Sequence, residues 1–191
     1  MLAAMAGSSR RSAPIVAVVP VGSTDAAVIQ ELIPVLRETF HAEVLVAPAV
    51  ALPERAWNGS RGQYLSTAIL DQLAGARRPE WERLIGVSDV DLYVPDLNFV
   101  FGEGDARRRV AVFSLARLRP AGTYASARRQ LVHRAATEAI HELGHTYGLG
   151  HCTNPRCVMW FSNTLAETDR KGTAFCPIHA AELARNRLKD R

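Results

Sequence analysis

Three histidines and one glutamate near the C-terminal end could do chemistry together: His141, Glu142, His145 and His151. On a helix, residues four apart share a face. His141 and His145 can therefore direct both imidazoles at one cation, with Glu142 one step round beside them. Catalytic zinc takes three protein ligands and keeps a position for water, and one helix supplies two of the three. His151 is the candidate for the third. It reaches the metal only if the helix stops, because six more helical residues would carry it about 9 Å up the axis and off the face. Gly148 stands where a left-handed turn ends a helix at little steric cost. Zinc on three neutral imidazoles keeps its double charge, which acidifies a bound water and polarises a carbonyl, and Glu142 is placed to serve as general base.

The full spacing, H-E-x-x-H-x-x-G-x-x-H, is the one found in metzincin metallopeptidases, where a methionine turn follows. After the last histidine come Cys152, Cys157, Met159, Cys176 and His179, in the order C-x4-C-x-M, sixteen residues, then C-x-x-H. On these residues the chain resembles the archaemetzincin family, in which a cysteine directly follows the third histidine and a second, cysteine-rich zinc site lies beside the catalytic one. The family's closing C-x-x-C reads here Cys176-Pro177-Ile178-His179. The resemblance thus implies a structural zinc on Cys152, Cys157, Cys176 and His179, and three thiolates with an imidazole are a complete tetrahedral set.

It further implies that Met159 forms the floor under the histidines without ligating. Phe99-Val100-Phe101 and its glycine also look like the corresponding stretch of the family. That makes Asn98, Phe99, Val100, Phe101 and Gly102 the candidate edge strand above the cleft, antiparallel to a bound peptide. Met159 is followed by Trp160-Phe161-Ser162-Asn163 and not by a tyrosine. No side-chain oxyanion donor is therefore assigned, with Tyr147 and Tyr124 as candidates. The implied activity is zinc-dependent hydrolysis of peptide bonds in peptides or proteins, with two zincs per chain. The alternative is a zinc-stabilised peptide-binding or regulatory module with little or no turnover, which would have no need of Glu142.

The rest of the chain must position these groups. Its 191 residues, 48% of them hydrophobic, suffice for one core and one domain. A net charge of +4 is spread over short clusters such as Arg77-Arg78 and Arg107-Arg108-Arg109, the pattern of a solvated surface and not of a nucleic-acid face. All three cysteines lie beside the histidine motif, which favours metal ligation over disulfides and a reducing compartment. Neither a signal peptide nor a membrane-length apolar run is read, so the expectation is a soluble, cytoplasmic monomer without membrane or nucleic-acid partners.

Residues 1–13 read as a flexible tail, 14–150 as a catalytic subdomain, and 151–191 as a small zinc-held subdomain. Pro14–Pro20 is a continuous β-branched run suited to a central strand. Ser23-Thr24-Asp25 offers a cap for a helix to about Phe40, kinked near Gln30 by Pro34. Strands are expected at Glu43–Ala47, Leu84–Ser88, Leu97–Phe101 and Val110–Ser114, with a helix over Gln63–Leu73. Asp89, Asp91 and Asp96 read as turn residues more simply than as a calcium loop. A long helix from Ser126 to Tyr147, with Val132, Ala136, Ala139, Ile140 and Leu143 as its buried stripe, carries the site. His133 and His41 read as surface residues. The fold class is α+β or α/β, a mixed twisted sheet with helices and an irregular metal-held end.

Overall fold

The computed structural model describes residues 13–122 and 125–190. Residues 1–12 of the expected tail at 1–13, and the candidate Tyr124, lie outside the described residues. A five-stranded sheet runs through the core in the order β2 (Glu43–Val46), β1 (Ile15–Val21), β5 (Trp81–Ser88), β8 (Val110–Ser114) and β7 (Gly102–Asp105). The first four are mutually parallel, and β7 closes the edge antiparallel to β8. A small second sheet holds β3 (Trp57–Asn58), β4 (Gln63–Leu65) and β6 (Leu92–Tyr93).

β1 shows why its sequence is apolar at every position. Val16 and Val18 face one cluster, with Ile85, Val87, Ala111 and Phe113, under α1 (Ala26–Phe40) and α3 (Ala125–Thr146). Ala17, Val19 and Val21 face the other, with Leu84, Val110 and Val112, under α2 (Ser66–Ala76). A strand covered by helices on both faces has no polar side to present. α1 starts where expected: the Asp25 carboxylate accepts from the backbone N–H of Ala27 and Val28. It runs through Pro34 to Phe40, buried along Val28, Ile29, Leu32, Leu36 and Phe40.

Two expectations are corrected. Gln63–Leu65 is strand, and α2 begins only at Ser66. Leu97–Phe101 forms no extended strand; Val100 bridges Leu92, and the sheet edge is Gly102–Asp105. Asp89 and Asp91 are turn residues as read, each paired with an arginine, Arg119 and Arg117 respectively.

The C-terminal end returns over the sheet. After a short helix α4 (Leu165–Arg170), capped reciprocally by Thr164 and Glu167, α5 (Pro177–Lys189) packs beside β5. Arg187 Nε meets Glu82 at 2.9 Å, Arg83 pairs with Asp190, and Asn186 donates to the Tyr147 carbonyl at 2.9 Å. Among the described residues no helix is long and apolar enough to cross a membrane.

β7 presses directly on α3. A Cβ on Gly104 would stand 2.5 Å from the Glu142 carbonyl oxygen and 2.8 Å from His145 Cβ. Gly104→Ala should therefore destabilise the fold by about 1–3 kcal/mol through forced separation of strand and helix. A urea midpoint unchanged by the substitution would show that the approach is slack.

Candidate active site

The site is built where α3 ends. Gly148 adopts φ +79°, its N–H donates to the His145 carbonyl at 2.9 Å, and the Leu149 N–H donates to the Gly144 carbonyl at 3.1 Å. This pair of bonds is a Schellman motif, which satisfies the last carbonyls and reverses the chain. A side chain at 148 would be strained in this conformation. The turn carries His151 back over the helix: its ring centroid lies 5.4 Å from that of His141 and 4.9 Å from that of His145. One ligand atom from each of the three lies within 4.8 Å of the others.

Backbone carbonyls fix the two helical imidazoles. His141 Nδ1 lies 2.8 Å from the Val158 carbonyl and His145 Nδ1 lies 2.8 Å from that of Leu149. Each Nδ1 must carry the proton to donate, which leaves each Nε2 with its lone pair. Those two nitrogens face each other at 3.1 Å. Ligands about 2.0–2.1 Å from a tetrahedral zinc stand roughly 3.4 Å apart, so two repelling lone pairs are already near the spacing a cation requires. The residues fit the metal.

Electrostatics agree with a site built for neutral imidazoles. Burial, then the Lys171 ammonium, pushes His141 well below its ordinary pKa; burial brings His145 to about 4 and also lowers His151. Burial, then the neighbouring Glu138 carboxylate, pushes Glu142 well above the ordinary carboxylate range. Glu142 takes no hydrogen bond from the described residues and lines the same cleft, of about 450 Å³, as the three histidines.

Met159 packs against α3 at Gly144. A Cβ on Gly144 would collide with the Met159 sulfur, so the glycine between Glu142 and His145 is the socket for this side chain. The Cys152 N–H donates to the Met159 carbonyl at 2.8 Å, which joins the His151 segment to the Met159 segment. The second cluster sits directly behind. Cys152 Sγ lies 3.9 Å from Cys176 Sγ, and His179 Nδ1 lies 3.4 Å from Cys176 Sγ and 4.0 Å from Cys157 Sγ. These match the roughly 3.6–3.8 Å edges of a tetrahedron of sulfur and nitrogen around zinc. His179 Nε2 faces the Gly150 carbonyl at 3.2 Å, which directs Nδ1 into the cluster. Backbone N–H groups of Asn154 and Cys176 point at the sulfurs of Cys152 and Cys157 at 3.4 and 3.3 Å. Burial pushes the Cys157 thiol up to about 11, whereas hydrogen bonds from His179 hold Cys176 down at about 6. A bound cation lets all three ionise.

Of the expected rim residues, Phe99, Val100, Phe101 and Gly102 line the cleft, joined by Glu103 and Gly104 of β7; Asn98 does not. Tyr147 is buried behind the helix, stacked on Phe40 at 5.6 Å, and is no oxyanion donor. Among the cleft residues that sequence reasoning missed are Phe161, Glu138 and Lys171. Glu138 precedes Glu142 by one helical turn, a spacing that could have revealed it. Lys171 has no such signal. Its ammonium is buried, 3.2 Å from Glu138 Oε1, 3.3 Å from the Trp160 carbonyl and 3.5 Å from His141 Nδ1.

Acid should unfold the metal-free protein through these histidines. The unfolded chain binds a proton at His145 near pH 6.5 and the folded one only near 4, so stability falls as pH drops between those values. The loss from His145 alone is about 3 kcal/mol at pH 4. Urea midpoints of chelator-treated protein that stay flat from pH 7 to 4 would contradict this burial.

Comparison with known proteins agrees with the geometry. Residues 30–185 match Peptidase family M54. The archaemetzincin of Methanopyrus kandleri is 46% identical over 138 residues, which is 72% of this chain and 75% of that protein. The archaemetzincin of Methanocaldococcus jannaschii is 41% identical over 159 residues, 82% and 86% of the two. The crystal structure of the Methanopyrus kandleri protein superposes with a TM-score of 0.83 at 38% identity, over 94% of this chain and 98% of that one. That of Archaeoglobus fulgidus archaemetzincin, complexed with malonate, gives 0.76 at 36% identity, over 88% and 99%. The chain with this metal-ready histidine cleft thus belongs to Peptidase family M54, the archaemetzincins, and is a zinc metallopeptidase.

Proposed function

We propose that His141, His145 and His151 hold a catalytic zinc, that Glu142 is the general base, and that Cys152, Cys157, Cys176 and His179 hold a second, structural zinc. The observation that carries this reading is the pair of Nε2 lone pairs, 3.1 Å apart, in one cleft with a carboxylate that takes no hydrogen bond from the described residues. When bound, zinc supplies Lewis acidity, making an attacking water more acidic and a scissile carbonyl more electrophilic. Glu142 accepts the proton of that water and passes it to the departing amine. Burial makes the Glu142 carboxylate a stronger base than an exposed one, which favours uptake of that proton.

The outer edge of β7, unpaired within the five-stranded sheet, is where an extended substrate adds as an antiparallel strand, and Phe99 and Phe101, packed on each other, line the same cleft. The chain acts as a cytoplasmic monomer of one domain, its residues 151–191 held by the structural zinc. A closed metal site suits a segment that, beyond α4 and α5, is mostly turn and loop.

Glu142→Ala should keep both zincs and lose peptide hydrolysis by about 10²- to 10⁴-fold. Full activity in the variant would remove the base, and equal binding of peptides by a parent without turnover would identify a binding module instead. His179→Ala should lower the stoichiometry from two zincs to one as pH falls from 7 to 5, since three thiolates alone leave the site open. A parent with one zinc by native mass spectrometry would remove the cysteine site.

A further inference from the structure

The cleft contains a charge pair that the hydrolytic chemistry above does not use. Glu138 and Lys171 both line it, and their side chains are only 3% and 1% exposed. The ammonium approaches Glu138 Oε1 at 3.2 Å, and Thr168 Oγ1 donates to that same oxygen at 3.2 Å. Oε2 of Glu138 therefore takes no hydrogen bond from the described residues. Lys171 donates one N–H to the Trp160 carbonyl at 3.3 Å, and its contact with Glu138 is an ion pair. Its remaining neighbour is His141 Nδ1 at 3.5 Å, whose own proton already goes to the Val158 carbonyl. With three N–H groups, the ammonium keeps donor capacity beyond the Trp160 carbonyl. The pair thus offers one unmet acceptor and one unmet donor, side by side, one helical turn from the base and immediately behind the His141 ring.

We propose that Glu138 and Lys171 form the floor of a substrate side-chain subsite that selects a carboxamide, glutamine or asparagine, beside the scissile bond. The inference rests on the reading of this cleft as the peptide-binding site. The two charges cancel, so a carboxylate or an ammonium entering the subsite would leave an uncompensated buried charge. An aliphatic side chain would leave the donor and the acceptor unmet, and sites built to hydrogen-bond a substrate reject analogues lacking the partner strongly. A carboxamide carries both complements: its NH2 donates to Glu138 Oε2 and its carbonyl accepts from Lys171. Ser162, bonded to Thr168 at 3.1 Å, lines the same cleft and keeps the wall polar.

The test measures binding, so it does not depend on turnover. Calorimetry on the zinc-loaded protein would compare peptide hydroxamates that differ only in the residue following the hydroxamate: glutamine, leucine, glutamate or lysine. Glutamine should bind at least tenfold more tightly than each of the others. The double variant Glu138→Leu/Lys171→Met, which leaves no buried charge unpaired, should reverse the order of glutamine and leucine. If leucine binds the parent as tightly as glutamine, the subsite is not the one described. If glutamate or lysine binds most tightly, the pair opens toward a single charge and the proposal is equally wrong. Should the double variant not fold, the ranking of the four on the parent decides. A failure of Glu142→Ala to abolish hydrolysis would overturn the assigned base and leave this ranking intact, so the two readings fail separately.

Discussion

The left-handed turn at Gly148 is the constraint on which the site depends. Without it α3 would continue past His145, and His151 would stand a turn and a half beyond the face that carries its partners. With it, the Leu149 carbonyl freed by the turn becomes the acceptor for His145 Nδ1, and the returning segment is bonded to the later chain through the Cys152 N–H and the Met159 carbonyl. The same reversal sets Cys152 next to His151. A metal on the cysteine cluster therefore also steadies the third histidine, because two adjacent residues cannot move independently.

A second constraint is the narrow space between β7 and α3. The strand edge is placed so close to Glu142 and His145 that side chains at residues 102 and 104 do not fit. That closeness brings a strand edge within reach of Glu142 and His145, which an ordinary strand packed through its side chains would hold further away. The cleft is thus narrow for a packing reason, and its polar floor is enclosed by the same elements. Glu138 from α3 and Lys171 after α4 meet there as a pair. Removing either alone would strand a buried charge at a cost of about 3–5 kcal/mol. Arg134, itself buried and doubly bonded to Asp169 at 2.6 Å, holds α4 against α3 so that the pair stays together.

Much of the fold was legible because its elements obey one dominant period. β1, residues 84–87 of β5 and residues 110–113 of β8 carry no polar side chain because helices cover both faces, and α1 announces itself through the Asp25 cap and its buried stripe. The failures have physical causes. β3, β4 and β6 are two or three residues long, too short for any alternation to show. The apolar Leu97–Phe101 looked like a strand, yet its two rings pack on each other at 5.2 Å and Phe99 lies under Arg117. The true edge, Gly102-Glu103-Gly104-Asp105, has poor strand propensity, and only the proximity of α3 explains why glycine is needed there.

By itself the sequence determined the histidine set, the glutamate, the turn glycine and the clustering of three cysteines with a histidine. Ligand chemistry demands particular residue types at spacings that one helix and one turn impose, and both are local properties of the chain. What only the tertiary structure decided is everything that depends on contacts between distant segments. The tautomers of His141 and His145 come from the carbonyls of Val158 and Leu149, and the socket for Met159 comes from Gly144. The exclusion of Tyr147 from the cleft follows from its stack against Phe40. The meeting of Lys171 with Glu138, 33 residues apart in the chain, left no trace in spacing, because a buried pair is set by how two elements pack and not by the period of either.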